Sequence, residues 1–343
     1  MRSCLRGVVI ALGMLCAVSA PGFAQHAQDA PPAPATKPIS GSNPTADAVK
    51  EQQLLQELNK LQGRVSIPDY KAATLEQPQG RSYQYFHERL LPWIAGILIV
   101  GMLAALALFY FLRGRIALDV RETGIKIMRF NVFERLTHWM TAAAFIVLAI
   151  TGLNYVFGKR LLFPLIGPDA FATWSQWAKF AHTTMAWPFM LGLIFMIFTW
   201  IRDNIPDRYD WTWLREFGGF FSNRHPPARR FNAGQKLIYW SVIIFGLSLS
   251  ASGLLMLFPF STLDINGMQW AQYVHAIAGA SLTAIIIAHI YIGTLGMKGA
   301  YDAMGTGEVD LAWARAHHSL WAEEEQARSG RRDKGGPVSA PAE

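Results

Sequence analysis

Two histidines, His275 and His289, lie in a stretch of membrane length, YVHAIAGASLTAIIIAHIYIGTL, that has no other ionisable side chain except tyrosine. Fourteen residues separate them, which on an α-helix gives a rise of about 21 Å and a rotation ending about 40° from the starting face. Both imidazoles therefore face the same way from opposite leaflets. An unpaired ring nitrogen is costly in hydrocarbon, so an intramembrane histidine indicates a functional group by default.

Two further histidines stand near the ends of other apolar stretches, His138 in RLTHWMTAAAF and His182 in KFAHTTMAWPF. The predicted orientation of the spans puts His182 and His275 at one depth in the outer leaflet. It puts His138 and His289 at a second depth, toward the inner leaflet. Two pairs of neutral imidazoles suit axial ligation of two b-type haems, which carry electrons because both axial positions are filled. Zinc would require a third protein ligand, usually with a carboxylate or thiolate.

Other roles remain open for these residues. A lone histidine is usually structural and hydrogen-bonded, and four at matched depths weaken that alternative. Glycine follows each histidine of the last stretch by four residues, and Gly279 and Gly293 either make room for a porphyrin or allow close helix packing. The remaining histidines lie in hydrophilic segments or at the mature N-terminus, where we expect them to be solvated rather than ligating: His26, His87, His225, His317 and His318.

The composition favours an all-α membrane protein. Of 343 residues, 52% are hydrophobic and 16% charged, with 12 tryptophans, a balance typical of a chain that contacts membrane lipid. The net charge of +7 comes from short basic blocks beside apolar stretches, and we therefore expect no nucleic-acid binding. Uncharged stretches predict five spans, at 90–112 and at about 136–157, 182–201, 237–258 and 273–295.

The first 24 residues have the pattern of a secretory signal peptide, with Arg2 and Arg6 before a short apolar core. An uncleaved anchor is the alternative. Both cysteines, Cys4 and Cys16, lie in this segment, so its cleavage leaves no thiol for a disulfide, an iron–sulfur cluster or the C-x-x-C-H attachment of haem.

The segments between spans predict the topology. Residues 25–89 form an outer linker, rich in Pro, Ala and Ser at first, with a short amphipathic helix at about 45–62, and residues 301–343 form a polar tail. Basic residues concentrate in segments 113–135 and 202–236, whereas the intervening outer loops hold few. This bias predicts an outer N-terminus and a cytoplasmic C-terminus in the inner membrane of a bacterium.

The chain resembles the gamma subunit, cytochrome b, of respiratory formate dehydrogenases across about residues 125–325. That family has four membrane helices and no long preceding segment. The resemblance therefore implies a four-helix di-haem bundle at 125–300, preceded by an extra transmembrane helix at 90–112 whose role it leaves open. The matching motifs are RLTHW (135–139), NIPD (204–207), FNAGQK (231–236), VHAIAG (274–279), HIYIGTLGMKGA (289–300) and AWARAHHSLW (312–321).

Residue by residue, the resemblance assigns the outer haem iron to His182 and His275 and the inner haem iron to His138 and His289, in agreement with the depth argument. It also implies quinone reduction beside the inner haem, because Asn232 and Gln235 match quinone-pocket positions of the family. On chemistry alone, this amide pair at a helix start could bind a quinone carbonyl or cap the helix.

The implied function is membrane anchoring and electron transfer in formate:quinone oxidation. A molybdenum or tungsten alpha subunit would oxidise formate outside, an iron–sulfur beta subunit would pass the electrons on, and quinone would receive them at the cytoplasmic side. We expect no formate chemistry in this chain. A cytochrome b subunit of a nickel–iron hydrogenase or related reductase has the same histidine layout, but NIPD and FNAGQK favour formate dehydrogenase. A proton-coupled transporter would be expected to show broken helices, further intramembrane charges and an inverted repeat.

Overall fold

The computed structural model describes residues 78–117, 121–219, 226–259 and 261–334. The predicted signal peptide, most of the outer linker and the predicted amphipathic helix at 45–62 lie outside these ranges, as do His26 and His225. The described chain is helical apart from one two-stranded sheet. Its helices are α1 (Pro78–Tyr85), α2 (Leu91–Arg113), α3 (Val132–Leu153), α4 (Phe163–Trp200), α5 (Arg208–Arg215), α6 (Ala233–Leu257), α7 (Ile265–Tyr291), α8 (Ala300–Gly305), α9 (Leu311–His317) and α10 (Ser319–Lys334).

Five of these helices, α2, α3, α4, α6 and α7, are long and apolar enough to cross a membrane. The predicted all-α membrane fold with one extra N-terminal span is confirmed. Turns of π-helix extend three of the spans, Phe86–Leu90 before α2, Asn154–Gly158 after α3 and Ile292–Gly296 after α7.

Four helices begin earlier than hydropathy predicts. Helix α3 begins at Val132 rather than 136, α6 at Ala233 rather than 237, α7 at Ile265 rather than 273, and α4 at Phe163 rather than 182. Hydropathy detects only the part inside hydrocarbon, whereas polar caps start a helix in the interface. In α7 the carboxylate of Asp264 accepts the Gly267 N–H at 2.8 Å.

Helix α4 is the longest span. Gly167 interrupts its helical geometry with φ of 78°, a conformation that favours glycine. From Pro168 to Trp200 the helix is about 50 Å long, well beyond the hydrocarbon thickness of about 30 Å. Its first turns, before His182, therefore extend out of the hydrocarbon.

The membrane helices pack mainly as two pairs, α3 with α4 and α6 with α7, and α2 lies along α7. Only Leu91 and Ala95 of α2 are buried, and its other apolar side chains face outward as lipid-facing residues do. At one end the ring of Phe86, in the preceding π-turn, lies 4.5 Å from that of Tyr273. The extra helix thus packs on the helix that carries two of the membrane histidines.

A short antiparallel sheet joins the segment before α3 to the segment after α7. Strand β1 (Lys126–Met128) pairs with β2 (Glu308–Asp310). The Asp310 carboxylate accepts N–H groups of Thr123 and Gly124 and also caps α9 at Ala312. Helices α8 to α10 are thereby attached to the start of α3.

His318 lies inside this C-terminal region. Its side chain is 1% exposed, its Nδ1–H donates to the Arg229 carbonyl at 2.8 Å, and its Nε2 accepts from Arg129 at 3.0 Å. Burial, with Arg129 beside it, holds the pKa of His318 well below its usual value. Burial also lowers the pKa of Arg129 to about 9, and its guanidinium lies 4.9 Å from the Trp321 ring. The prediction that His318 is solvated is wrong, because the nearby Trp313 ring and the distant Arg129 cover a locally hydrophilic segment.

Candidate functional site

The four membrane histidines lie in two pairs. The ring centroids of His138 on α3 and His289 on α7 are 6.0 Å apart, and those of His182 on α4 and His275 on α7 are 6.1 Å apart. The planes in both pairs are inclined by 59°. Helix α7 supplies one histidine to each pair, at levels about 21 Å apart along its axis.

Each pair fits a single metal atom between two imidazoles. Two metal–nitrogen bonds of about 2 Å, together with the distance from each bonded nitrogen to its ring centre, separate the centroids by about 6 Å. Among the described residues no group of three or more His, Cys, Asp or Glu side chains is placed to hold a metal ion. A tetrahedral zinc site therefore lacks ligands there, whereas bis-histidine ligation of haem iron needs only two.

Hydrogen bonding differs between the two pairs. His182 Nδ1 lies 2.9 Å from the Thr151 hydroxyl of α3, and His275 Nδ1 lies 3.0 Å from the Ser252 hydroxyl of α6. In contrast, the buried Nδ1 of His138 has no partner within the described part of the chain. A buried ring nitrogen without a hydrogen-bond partner is uncommon in folded proteins, and its presence indicates a functional reason.

The glycines four residues after the α7 histidines face open space. A Cβ at Gly279 would make an ordinary contact of 3.7 Å with one leucine side chain, and a Cβ at Gly293 would meet no described atom within 4 Å. Close helix packing instead occurs at Gly192, where a Cβ would clash with Thr141. Gly293 therefore has open space beside it and Gly279 has an ordinary contact with α6, and which of the two roles these glycines serve stays a prediction.

Asn232 and Gln235 form a capping box at the start of α6. The Asn232 Oδ1 accepts the Gln235 N–H at 2.9 Å, and the Gln235 Oε1 accepts the Asn232 N–H at 3.1 Å. The structure therefore shows the helix cap, which was the alternative to quinone binding for these two residues. Because both bonds use side-chain oxygens, the two NH₂ groups are still donors, and a role toward quinone stays a prediction.

A buried lysine joins the NIPD and FNAGQK motifs. Lys236 is 4% exposed, and its ammonium contacts Asp210 at 2.8 Å, Asp207 at 3.1 Å and the Ile205 carbonyl at 3.2 Å. Burial opposes the ionisation of Asp207, but hydrogen bonds from Lys236 and from backbone N–H groups lower its pKa. Two motifs that are separate in sequence thus form one structural unit.

Glu134 is a buried charge that we did not anticipate from the sequence. It is 4% exposed and accepts hydrogen bonds from Arg230 at 2.6 Å and from the Trp200 indole at 2.9 Å. It also completes a capping box with Asn131, one helical turn before His138. The sequence did contain a pattern that indicates this cap, the Asn–x–x–Glu spacing at the start of an apolar stretch.

These helices and histidine pairs define a multi-pass membrane cytochrome b. The profile of the prokaryotic cytochrome b561 family matches residues 129–307, which is more than half of the chain. The chain belongs to this family. The match covers α3 to α8 and does not include the extra span α2.

Individual relatives agree with the family match. The formate dehydrogenase cytochrome b556(fdo) subunit of Escherichia coli K12 is 31% identical over 199 residues, or 57% of this chain and 91% of the relative. The nitrate-inducible formate dehydrogenase cytochrome b556(Fdn) subunit of that strain is 27% identical over 57% of this chain and 89% of its own length. The formate dehydrogenase cytochrome b556 subunit of Haemophilus influenzae is 25% identical over 58% and 84%.

Replacement of Lys236 by Met should destabilise the contact between the start of α5 and the start of α6, where Asn232 and Gln235 lie. Asp210 then loses its cation and Asp207 keeps only the longer contact with Arg229 at 3.8 Å, at a cost near the lower end of about 3–5 kcal/mol because Asp207 also keeps some contact with water. Chemical unfolding of the purified protein in detergent measures this free energy. The exposed Lys179→Met is the matched control and should change it by less than about 0.5 kcal/mol; equal effects of the two substitutions would contradict the prediction.

Proposed function

We propose that this chain is the membrane-anchoring cytochrome b subunit of a formate dehydrogenase and passes electrons to quinone. The observation that carries the proposal is the presence of two histidine pairs along one membrane helix, α7, in a chain whose relatives are named as formate dehydrogenase cytochrome b subunits. The alternative readings of the histidines, as zinc ligands or a proton relay, account less well for two separate pairs.

His182 with His275 would hold one haem b, and His138 with His289 would hold a second. When bound, each haem supplies a one-electron carrier whose axial positions are both filled, so it transfers electrons rather than binding oxygen. The side chains on α3, α4 and α7 fix the two levels, and the glycines on α7 leave space beside the imidazoles. The chain itself then sets the separation between the two electron carriers.

The N-terminus would be periplasmic and the C-terminus cytoplasmic, as the distribution of basic residues supports. An iron–sulfur beta subunit and a molybdenum or tungsten alpha subunit would then lie on the periplasmic side. Electrons from formate would enter at the His182–His275 level. Proton uptake from the cytoplasm during quinone reduction would make the transfer electrogenic.

Quinone would bind near the start of α6, where Asn232 and Gln235 offer amide donors. This end of α6 lies beside the start of α3, since Arg230 forms an ion pair with Glu134 at 2.6 Å. His138 follows Glu134 by one turn, so the amide groups and the His138–His289 pair belong to the same end of the bundle. A quinone carbonyl accepts hydrogen bonds, and the unused NH₂ groups can supply them.

Copurification tests the choice of complex. The tagged chain, extracted in mild detergent from its native membrane, should retain a molybdopterin-type subunit and an iron–sulfur protein, identified by mass spectrometry. Recovery of a nickel hydrogenase large subunit in their place would overturn the assignment to a formate dehydrogenase but leave the assignment as a cytochrome b subunit unchanged. A reduced-minus-oxidised spectrum without b-type haem bands would overturn both.

Replacing His182 by Ala should remove one haem and retain the other. The haem-to-protein ratio should fall by about half, because a bis-histidine site without one ligand holds its haem poorly, and the remaining haem should still respond to quinone. His87→Ala, outside both pairs, is the control and should keep the wild-type ratio. If His182→Ala instead lost only the haem that responds to quinone, the pairing of His182 with His275 would be refuted.

Replacement of Asn232 by Asp separates capping from quinone binding. Asp caps a helix as well as Asn does but its carboxylate has no NH₂ to donate. We expect Asn232→Asp to keep both haems and the wild-type stability while slowing quinone reduction roughly tenfold, the size expected for one hydrogen bond. Stopped-flow oxidation of the reduced haems by a quinone analogue measures this rate. A wild-type rate would leave Asn232 with its capping role only.

A further inference from the structure

The same two-residue pattern occurs on two helices that flank the His182–His275 pair. Thr151 and Gly152 stand on α3 beside His182, and Ser252 and Gly253 stand on α6 beside His275. Both hydroxyls are buried, with each residue 4% exposed, and they lie 2.9 and 3.0 Å from the Nδ1 atoms. The same arrangement therefore occurs on both sides of the pair.

Counting protons fixes the direction of these hydrogen bonds. The Thr151 hydroxyl donates to the Val147 carbonyl at 2.7 Å, and the Ser252 hydroxyl donates to the Ser248 carbonyl at 2.6 Å. A hydroxyl has a single proton, so with that proton on the carbonyl each oxygen accepts from the histidine, as the backbone carbonyls of Leu148 and Leu249 also do. Nδ1 of both rings therefore carries hydrogen, and Nε2 is the nitrogen with a free lone pair for iron.

The adjacent glycines allow this close approach. A Cβ at Gly152 would lie 3.4 Å from Cε1 of His182, and a Cβ at Gly253 would lie 3.3 Å from Cε1 of His275. At Gly253 this is tighter than an ordinary contact, so the ring would have to give by a few tenths of an ångström, whereas at Gly152 it is an ordinary contact and the glycine keeps the ring uncrowded. The small residue and the acceptor thus act together on each imidazole.

We propose that Thr151 and Ser252 are positioning residues that hold His182 and His275 in the Nδ1–H tautomer and lower the reduction potential of the haem between them. The inference rests on the proposed function. A hydrogen bond donated by Nδ1, the nitrogen that does not bind iron, makes an imidazole a more basic ligand. A more basic ligand stabilises the oxidised, more positively charged iron. His138 Nδ1 has no such acceptor within the described residues. The two hydroxyls would thus favour electron transfer from the His182–His275 level toward the His138–His289 level.

The test is a redox titration of the purified complex, followed by haem absorption and low-temperature electron paramagnetic resonance. In the double variant Thr151→Val, Ser252→Ala, the equilibrium constant for reduction of one haem should rise about tenfold, from the loss of two modest hydrogen bonds. For a one-electron couple this is a shift of about 59 mV to more positive potential. The other haem should keep its potential and its resonance signal.

Matched variants separate this role from packing. Ser250 on α6 also donates to a carbonyl four residues back, that of Gly246 at 2.7 Å, but has no hydrogen bond to a histidine of the described chain, so Ser250→Ala should shift neither haem. Thr151→Ser and Ser252→Thr keep a hydroxyl and should restore the wild-type potential. If the double variant loses its haem, the two single variants are titrated instead. Each should shift the reduction potential by about half as much as is expected for the double variant.

The outcomes separate the two proposals. Two haems at wild-type potentials in the double variant would overturn this inference and leave the proposed function intact. A shift of both haems, or an equal shift in Ser250→Ala, would also overturn it. The absence of haem from the wild-type chain would overturn the proposed function instead.

Discussion

The structure depends on the cost of placing imidazole nitrogens in hydrocarbon. Helix α7 carries two of them, and each can be satisfied only by groups that other helices bring to the same depth. Helices α3 and α4 supply His138 and His182, about 6 Å from their partners on α7. At the His182–His275 level, α3 and α6 add hydroxyls. The order of helices around α7 is thus dictated by what its two histidines require.

One end of the bundle is held by buried charges as well as by apolar packing. Lys236 ties the start of α6 to the two carboxylates at the start of α5, and Arg230 ties the loop before α6 to Glu134 at the start of α3. Such pairs contribute little net stability over apolar residues, but each removes alternatives in which a charge is buried alone. The amides of Asn232 and Gln235 therefore project from a segment with few accessible conformations, as a binding site requires.

The extra span α2 lies outside the segment that matches the family, residues 129–307, yet it packs on α7. Its contacts come from two small or aliphatic residues and from aromatic side chains near its ends, such as Phe109, whose ring lies 6.4 Å from that of Tyr291. Beyond α2, the Ile116 backbone pairs with the segment after α7 through Gly296 and Lys298. The added helix is attached along the length of the helix that carries His275 and His289.

The sequence by itself determined the five spans, the depths of the four histidines and the pairing that those depths allow. These are local properties, because hydropathy and the 3.6-residue period fix where a residue lies on its own helix. Only the tertiary structure decided which groups surround each ring: the hydroxyls of Thr151 and Ser252 are 31 and 23 residues from their histidines. It also decided that His318 is buried against Arg129, 189 residues away. Such contacts join residues far apart in the chain, and no local pattern encodes which distant side chain will complete a hydrogen bond or exclude water.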